Sequence, residues 1–459
     1  MMLKSIICHL ALFGLGSARV QFLGMSIAGG EFGCQIDGSC PLGSTQLPLQ
    51  SFKLGGGDGE GQMKHFATDD GMNLFRLPIS WQFLVNNQLG SPLNTANLAK
   101  YDKLVQTCLA TGAHCMIDIH NFARWNGGII GQGGPTDEQF VSLWTQLATE
   151  YAASQNIVFE LMNEPHDLDI PKWAATCQKV VTAIRSAGAK TQMILLPGSN
   201  FDSAATLVSG GSAAALMAIT NPDGSTDNLV LDVHKYLDVD NSGTHAECIT
   251  NNTGAFGEVA TFLRQAERKG LVSETGAAPD GSACLARFCE QNSFINANSD
   301  VFVGLVSWAA GSFDTSYLLA QTPRFDGQKW VNNQLAADCV VDTWLKSSEV
   351  VPAPAPVASS SSAIVAVPTI TSTSYLTGTR TISMTGTITT IEIQETSSAV
   401  IESSSTVLET DESQPTTILN APALDIPTTV ETTTNSAPIA SMKSPAISNK
   451  YNTLQQAVL

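Results

Sequence analysis

Between Phe22 and Trp308 the chain repeats one pattern: a short apolar run bounded by Gly, Pro or polar residues, then a longer stretch of mixed character. The runs are 22–28, 72–78, 115–120, a fourth that starts at Ile157 and is stopped by Pro165, then 192–198, 229–236, 270–276 and 301–308. Runs of this length read as buried strands. Apolar residues recur at helical spacing in 61–69, 98–110, 137–151, 173–187, 256–269 and 285–296. Strands alternating with helices imply βαβ units and parallel pairing. Eight such units predict an α/β fold, a (β/α)8 TIM barrel. The rival is a doubly wound open sheet, which usually carries a Gly-rich phosphate loop after its first strand. Gly29-Gly30-Glu31-Phe32-Gly33 has the glycines, but cysteine and proline follow it rather than a helical pattern.

The polar residues of this pattern fall at the ends of the runs. Arg76 ends the second, His120 the third, and Asn163 with Glu164 the fourth. His234 and Tyr236 end the sixth, Glu274 the seventh and Trp308 the eighth. Barrels of this fold carry their active sites at the C-terminal ends of their strands. Taken singly, each residue has an ordinary structural reading: an ion pair for Arg76, a strand cap for His234, a core aromatic for Trp308. Their coincidence at equivalent strand ends favours a site. Two glutamates that each close a strand suit glycoside hydrolysis, in which one carboxylic acid protonates the leaving oxygen and a second carboxylate is nucleophile or base. Arg76 and Tyr236 are suited to hold an ionised carboxylate, and Asn163 to bond a sugar hydroxyl. Trp308, with Trp125 as a second candidate, offers a flat face for a sugar ring. This chemistry requires no metal and no cofactor, and no C-x-x-C pair or Cys/His cluster suggests a metal site.

The flanks differ from this core. Lys4, the apolar run 6–15 and the small residues Gly16-Ser17-Ala18 form a secretory signal peptide, residues 1–18. No later stretch is apolar for long enough to span a membrane. Beyond Lys346 there is no Cys or Trp, and Ser, Thr and Pro dominate. Such sequence cannot bury enough apolar surface to fold, and reads as a disordered, O-glycosylated tail at 347–459. A small β module at 377–393, where Thr alternates with Ile and Met, is the alternative. The folded catalytic domain is therefore placed at 19–346. The net charge of −18 argues against nucleic acid as a partner. Of ten cysteines, Cys8 lies in the signal peptide. Cys34 with Cys40 and Cys108 with Cys115 are near enough for local bridges, although sequence alone does not fix pairing. Cys177 sits in a helical pattern and reads as a buried free thiol.

The ordered set Phe75-Arg76-Leu77-Pro78, Asp118-Ile119-His120-Asn121, Met162-Asn163-Glu164-Pro165, Asp232-Val233-His234-Lys235-Tyr236 and Ser273-Glu274-Thr275-Gly276 resembles the fungal endo-β-1,4-glucanases of glycoside hydrolase family 5. The resemblance covers most of 20–346. It implies a secreted, retaining enzyme acting on a β-glucan polysaccharide, with Glu164 as acid/base and Glu274 as nucleophile. It further implies substrate-site roles for Arg76, His120, Asn163, His234, Tyr236 and Trp308, and a monomer. It implies the pairs Cys248–Cys284 and Cys289–Cys339 and leaves Cys177 out. Many such enzymes carry a cellulose-binding module, and the tail shows no Cys- and aromatic-rich module. The resemblance therefore does not bring strong adsorption to crystalline cellulose with it. A related β-mannanase or β-1,3-glucanase, and a non-catalytic sugar-binding wall protein, stay open at this point.

Overall fold

The computed structural model describes residues 19–51 and 56–347. The signal peptide and the tail, including the alternative β module at 377–393, lie outside the described residues, apart from Ser347.

Eight parallel strands close into a barrel: β1 Phe22–Ala28, β2 Leu74–Ile79, β3 His114–Ile119, β4 Ile157–Glu160, β5 Met193–Leu196, β6 Leu229–His234, β7 Gly270–Thr275 and β8 Phe302–Gly311. Each pairs with its sequence neighbours, and β8 returns to β1 with Phe22 opposite Gly304. The expected helices are present as α1 Gly59–Thr68, α2 Thr95–Ala110, α3 Asp137–Tyr151, α4 Ile170–Ser186, α6 Thr253–Gln265 and α7 Ser282–Ala297. The helix α5, Ser212–Met217, was not expected from the sequence.

Local chemistry sets these boundaries. Thr136 and Gln139 close a capping box at the start of α3, satisfying backbone N–H groups that the first turn leaves free. Asp169 caps α4, and a proline in its first turn removes an N–H that would have no helical partner. Along α3, Phe140, Leu143, Trp144, Leu147 and Tyr151 are buried at i, i+3, i+4 spacing, so the helix presents one apolar stripe to the barrel.

The barrel interior is layered. Phe22, Leu74, Met116, Val158, Leu195, Val230, Leu271 and Val306, one from each strand, form an apolar cluster of their own. They plug the N-terminal half and give the upper half a rigid floor. Among the described residues the disulfides are Cys34–Cys40, Cys108–Cys115, Cys248–Cys284 and Cys289–Cys339, and Cys177 is a buried free thiol. All five assignments agree with the sequence reading.

Candidate active site

Side chains alternate along a strand, so the residue two positions beyond a floor residue points into the barrel again. Beyond Leu74, Met116, Val158, Val230 and Leu271 stand Arg76, Asp118, Glu160, Asp232 and Ser273, all fully buried. A polar layer therefore rests on the apolar plug. Several placements differ from the sequence reading: Trp308 lies within β8, which runs on to Gly311, and His120 and Tyr236 lie just beyond the ends of β3 and β6. Arg76 lies within β2 rather than at its end, because the ladder continues through Pro78 to Ile79. β4 stops at Glu160, so Asn163 and Glu164 lie beyond the strand.

Arg76 is the hub of the layer. Its Nε donates to Glu160 Oε2 at 2.7 Å and its Nη2 to Glu160 Oε1, a two-point fork. Nη2 also donates to Asn163 Oδ1 at 2.8 Å and lies 2.9 Å from Asp118 Oδ2, while Nη1 donates to Glu274 Oε2. Burial opposes the guanidinium's charge, but Asp118, Glu160 and Glu274 outweigh it and raise its proton affinity further. Because Asn163 Oδ1 faces Arg76, its Nδ2 is left buried without a partner. Such an orphaned donor is unfavourable until a ligand supplies an acceptor.

Glu274 is held from a second side by the Tyr236 hydroxyl, which donates to Oε1 at 2.7 Å. Both oxygens of Glu274 thus act as acceptors, the role of an ionised carboxylate. Glu164 is placed differently. Its backbone φ is 46°, a left-handed conformation that is strained for a glutamate. Asp202 holds it there, accepting the Glu164 N–H at 3.2 Å as well as the Gly198 N–H. Glu164 Oε1 lies 3.1 Å from His234 Nδ1. Burial pushes the Glu164 carboxyl up to about 8; Arg76 opposes this, and Asp118 and Glu160 add to it. One oxygen of Glu164 and one of Glu274 lie within 4.8 Å of each other and of a His234 nitrogen.

His120 completes the wall. Its Nδ1 is 2.7 Å from Asp118 Oδ2, and its ring stacks on Trp308 at 5.7 Å. Burial and then Arg76 lower its proton affinity to about 3, while burial lowers that of His234 to about 4. Both are therefore neutral at ordinary pH. The Trp308 indole N–H donates to the Tyr317 hydroxyl at 3.1 Å, which fixes the plane of the ring. All eight residues singled out from the sequence thus belong to one connected network. Trp125 sits apart on the hairpin 124–129, edge-on to Trp81 at 5.4 Å.

The sequence reading overlooked Asp118, Glu160, Asp202 and Asp232 as members of the site, together with Tyr317. A usable signal existed for three of the carboxylates: each is a charged residue two positions after an apolar one inside a strand. Among the described residues, three groups have metal-ligating atoms close enough to share an ion. Two of them, Glu160–Asp232–His234 and Glu164–His234–Glu274, are this site. In the third, Asp238–Asp240–His245, Asp238 Oδ2 already accepts from the N–H groups of Thr244 and His245 and from the Ser242 hydroxyl.

Residues 39–313 match the family described as Cellulase (glycosyl hydrolase family 5). The chain is 55% identical over 327 residues to endoglucanase EG-II of Hypocrea jecorina, an overlap of 71% of this chain and 78% of that one. It is 46% identical over 314 residues to endoglucanase 1 of Saitozyma flava, covering 68% and 86% of the two chains. The crystal structure of Cel5A (EG2) from Hypocrea jecorina aligns with a TM-score of 0.69 at 53% identity, over 70% of this chain and 99% of that one.

Proposed function

The chain belongs to glycosyl hydrolase family 5 and is an endoglucanase; from that premise we propose that it cleaves internal β-1,4-glucosidic bonds by a retaining double displacement, with Glu274 as nucleophile and Glu164 as acid/base. The observation that carries this reading is the close approach of two carboxyl groups, within 4.8 Å, in unlike surroundings. Retaining enzymes hold their carboxyl groups about 5–5.5 Å apart, whereas inverting ones leave room for a water at about 6.5–9.5 Å. Glu274 accepts from Arg76 and Tyr236, and Glu164 is buried and holds its proton up to about pH 8.

In the first step a Glu274 oxygen attacks the anomeric carbon. The bond from that carbon to the glycosidic oxygen breaks, and the Glu164 proton passes to the departing oxygen. In the second step Glu164, now a carboxylate, takes a proton from water. The hydroxide oxygen attacks the same carbon, and Glu274 leaves with its bonding pair. The two inversions restore the β configuration. The unpartnered Asn163 Nδ2 donates to a hydroxyl of the sugar, and the Trp308 face carries the ring. The signal peptide supports secretion, and the Ser/Thr/Pro-rich tail is read as an O-glycosylated stalk attached to a folded domain at 19–346. No helix among the described residues is long and apolar enough to cross a membrane.

Azide tests the assignment. With an activated aryl β-cellobioside, Glu164→Ala should form the glycosyl-enzyme, stall at its hydrolysis, and give a β-glycosyl azide when azide is added. Glu274→Ala should give the α-azide by direct attack. The opposite pair of anomers would reverse the two roles.

A further inference from the structure

The mechanism above leaves Glu160 unused, although it makes the closest two-point contact with Arg76. It lies at the end of β4, fully buried. Its oxygens take Nε and Nη2 of Arg76, which fixes the guanidinium plane and turns the remaining nitrogen, Nη1, towards Glu274. We propose that Glu160 is a positioning residue for the hydrolytic reaction: its fork aims Arg76 at the nucleophile, and its negative charge keeps the proton on Glu164. This rests on the roles proposed above for Glu164 and Glu274.

Two features of the geometry support the charge. Arg76 is the only cation in the layer, facing Glu160 and Asp118 as well as Glu274. The other groups around Glu160 cannot add positive charge: His120 and His234 are neutral, and Asp202 and Asp232 are acids whose burial holds their protons on. Second, both Glu160 oxygens already face N–H donors, so a proton on either would meet another proton. Burial, opposed by Arg76 and aided by Asp118, pushes the Glu160 carboxyl up to about 7. The two guanidinium N–H contacts hold Glu160 as the anion, whereas Glu164 lies beside a single ring nitrogen of His234 and is raised to about 8, so it is the group that keeps its proton. Glu160 Oε1 and Glu164 Oε1 flank one imidazole, 4.0 Å from His234 Nε2 and 3.1 Å from His234 Nδ1, and a like charge that near raises a carboxyl's proton affinity.

The test is the pH dependence of hydrolysis of a soluble cellooligosaccharide, whose leaving group needs protonation. Glu160→Gln keeps the shape and removes the charge. The alkaline limb of its kcat/KM profile should move to lower pH by about one unit. Glu160→Asp keeps the charge and shortens the fork. It should leave the alkaline limb in place and lower kcat by roughly ten- to a hundredfold with KM nearly unchanged, because a misplaced guanidinium no longer serves the nucleophile. An alkaline limb that does not move in Glu160→Gln overturns the inference. Should that variant not fold, Glu160→Asp decides alone: an unchanged kcat per folded molecule overturns the inference. Glu164→Gln serves as the control. If it retains the wild-type alkaline limb, the acid assignment itself fails. If the limb disappears with Glu164 but ignores Glu160, only the present inference fails.

Discussion

At the scale of single residues, the site works by giving similar groups different surroundings. Glu164 is strained at φ 46° and buried beside a neutral histidine, whereas Glu274 accepts from a cation and a phenol. The rate of cleavage of an unactivated glucan should therefore fall as pH rises through about 8, where Glu164 loses its proton. A pH–kcat/KM profile flat to pH 10 would contradict this. Asn163→Ala removes an orphaned buried donor that is proposed above to bond the sugar. It should lower kcat/KM by about 1–3 kcal/mol of transition-state binding, roughly five- to 150-fold, with the fold unchanged by circular dichroism. The eight candidate residues that the structure gathers into one network were legible because each interrupts or ends an apolar run near the strand's C-terminal end. Glu160 was not, because attention to strand ends passes over a charged residue followed by Leu161 and Met162. Only the closed barrel reveals that this position faces the axis, two residues above Val158.

At the scale of elements, the loop after β6 supports Tyr236 from behind. Asn241 Oδ1 accepts the Tyr236 N–H at 2.8 Å, and a Cβ on Gly243 would lie 2.7 Å from the Tyr236 ring. Gly243 also has φ 66°, where a side chain is strained. Gly243→Val should displace the phenol from Glu274 and lower kcat more than it raises KM. An unchanged kcat would show that the loop yields without moving the ring. The same loop is tied to the start of α7 by Cys248–Cys284, while Cys289–Cys339 closes a separation of 50 residues. Replacing Cys289 and Cys339 by alanine should destabilise the domain by about 4 kcal/mol in the loop-entropy model, measured by denaturant unfolding. Among helices, α5 escaped the sequence reading. Six residues give under two turns, too few for a 3.6-residue period to be seen. Its start depends on Gly211 at φ 86°, which only backbone geometry discloses.

At the scale of the molecule, the polar layer links stability to pH. Glu31 and Glu164 hold their protons to about 8, each raised first by burial. Carboxyls with raised folded values contribute stability that is full below their ordinary range near 4 and is lost as pH rises through about 8. His120 and His234, lowered to about 3 and about 4, lose stability in the opposite direction, as pH falls below 6.5. Above 6.5 only the carboxyls act, so the thermal midpoint should fall steadily from pH 6.5 to 8.5. A midpoint that rose over that interval would contradict the buried acids. Trp344 seals the core of the described domain, its indole donating to the Val20 carbonyl at 2.9 Å. A chain ending at Ser348 should accordingly keep its turnover on soluble substrate.

The sharing of one guanidinium also limits how such a sequence can drift. Losing Arg76 alone strands Glu160 and Asp118 as neighbouring anions in a dry interior, and losing Glu160 alone leaves a cation with fewer partners. Removing one member of a buried pair typically costs about 3–5 kcal/mol, while replacing both with apolar residues of similar volume is often close to neutral. Arg76 and Glu160 should therefore be strongly non-additive in a double-mutant cycle. A lineage that abandons catalysis can discard them together, but hardly one at a time.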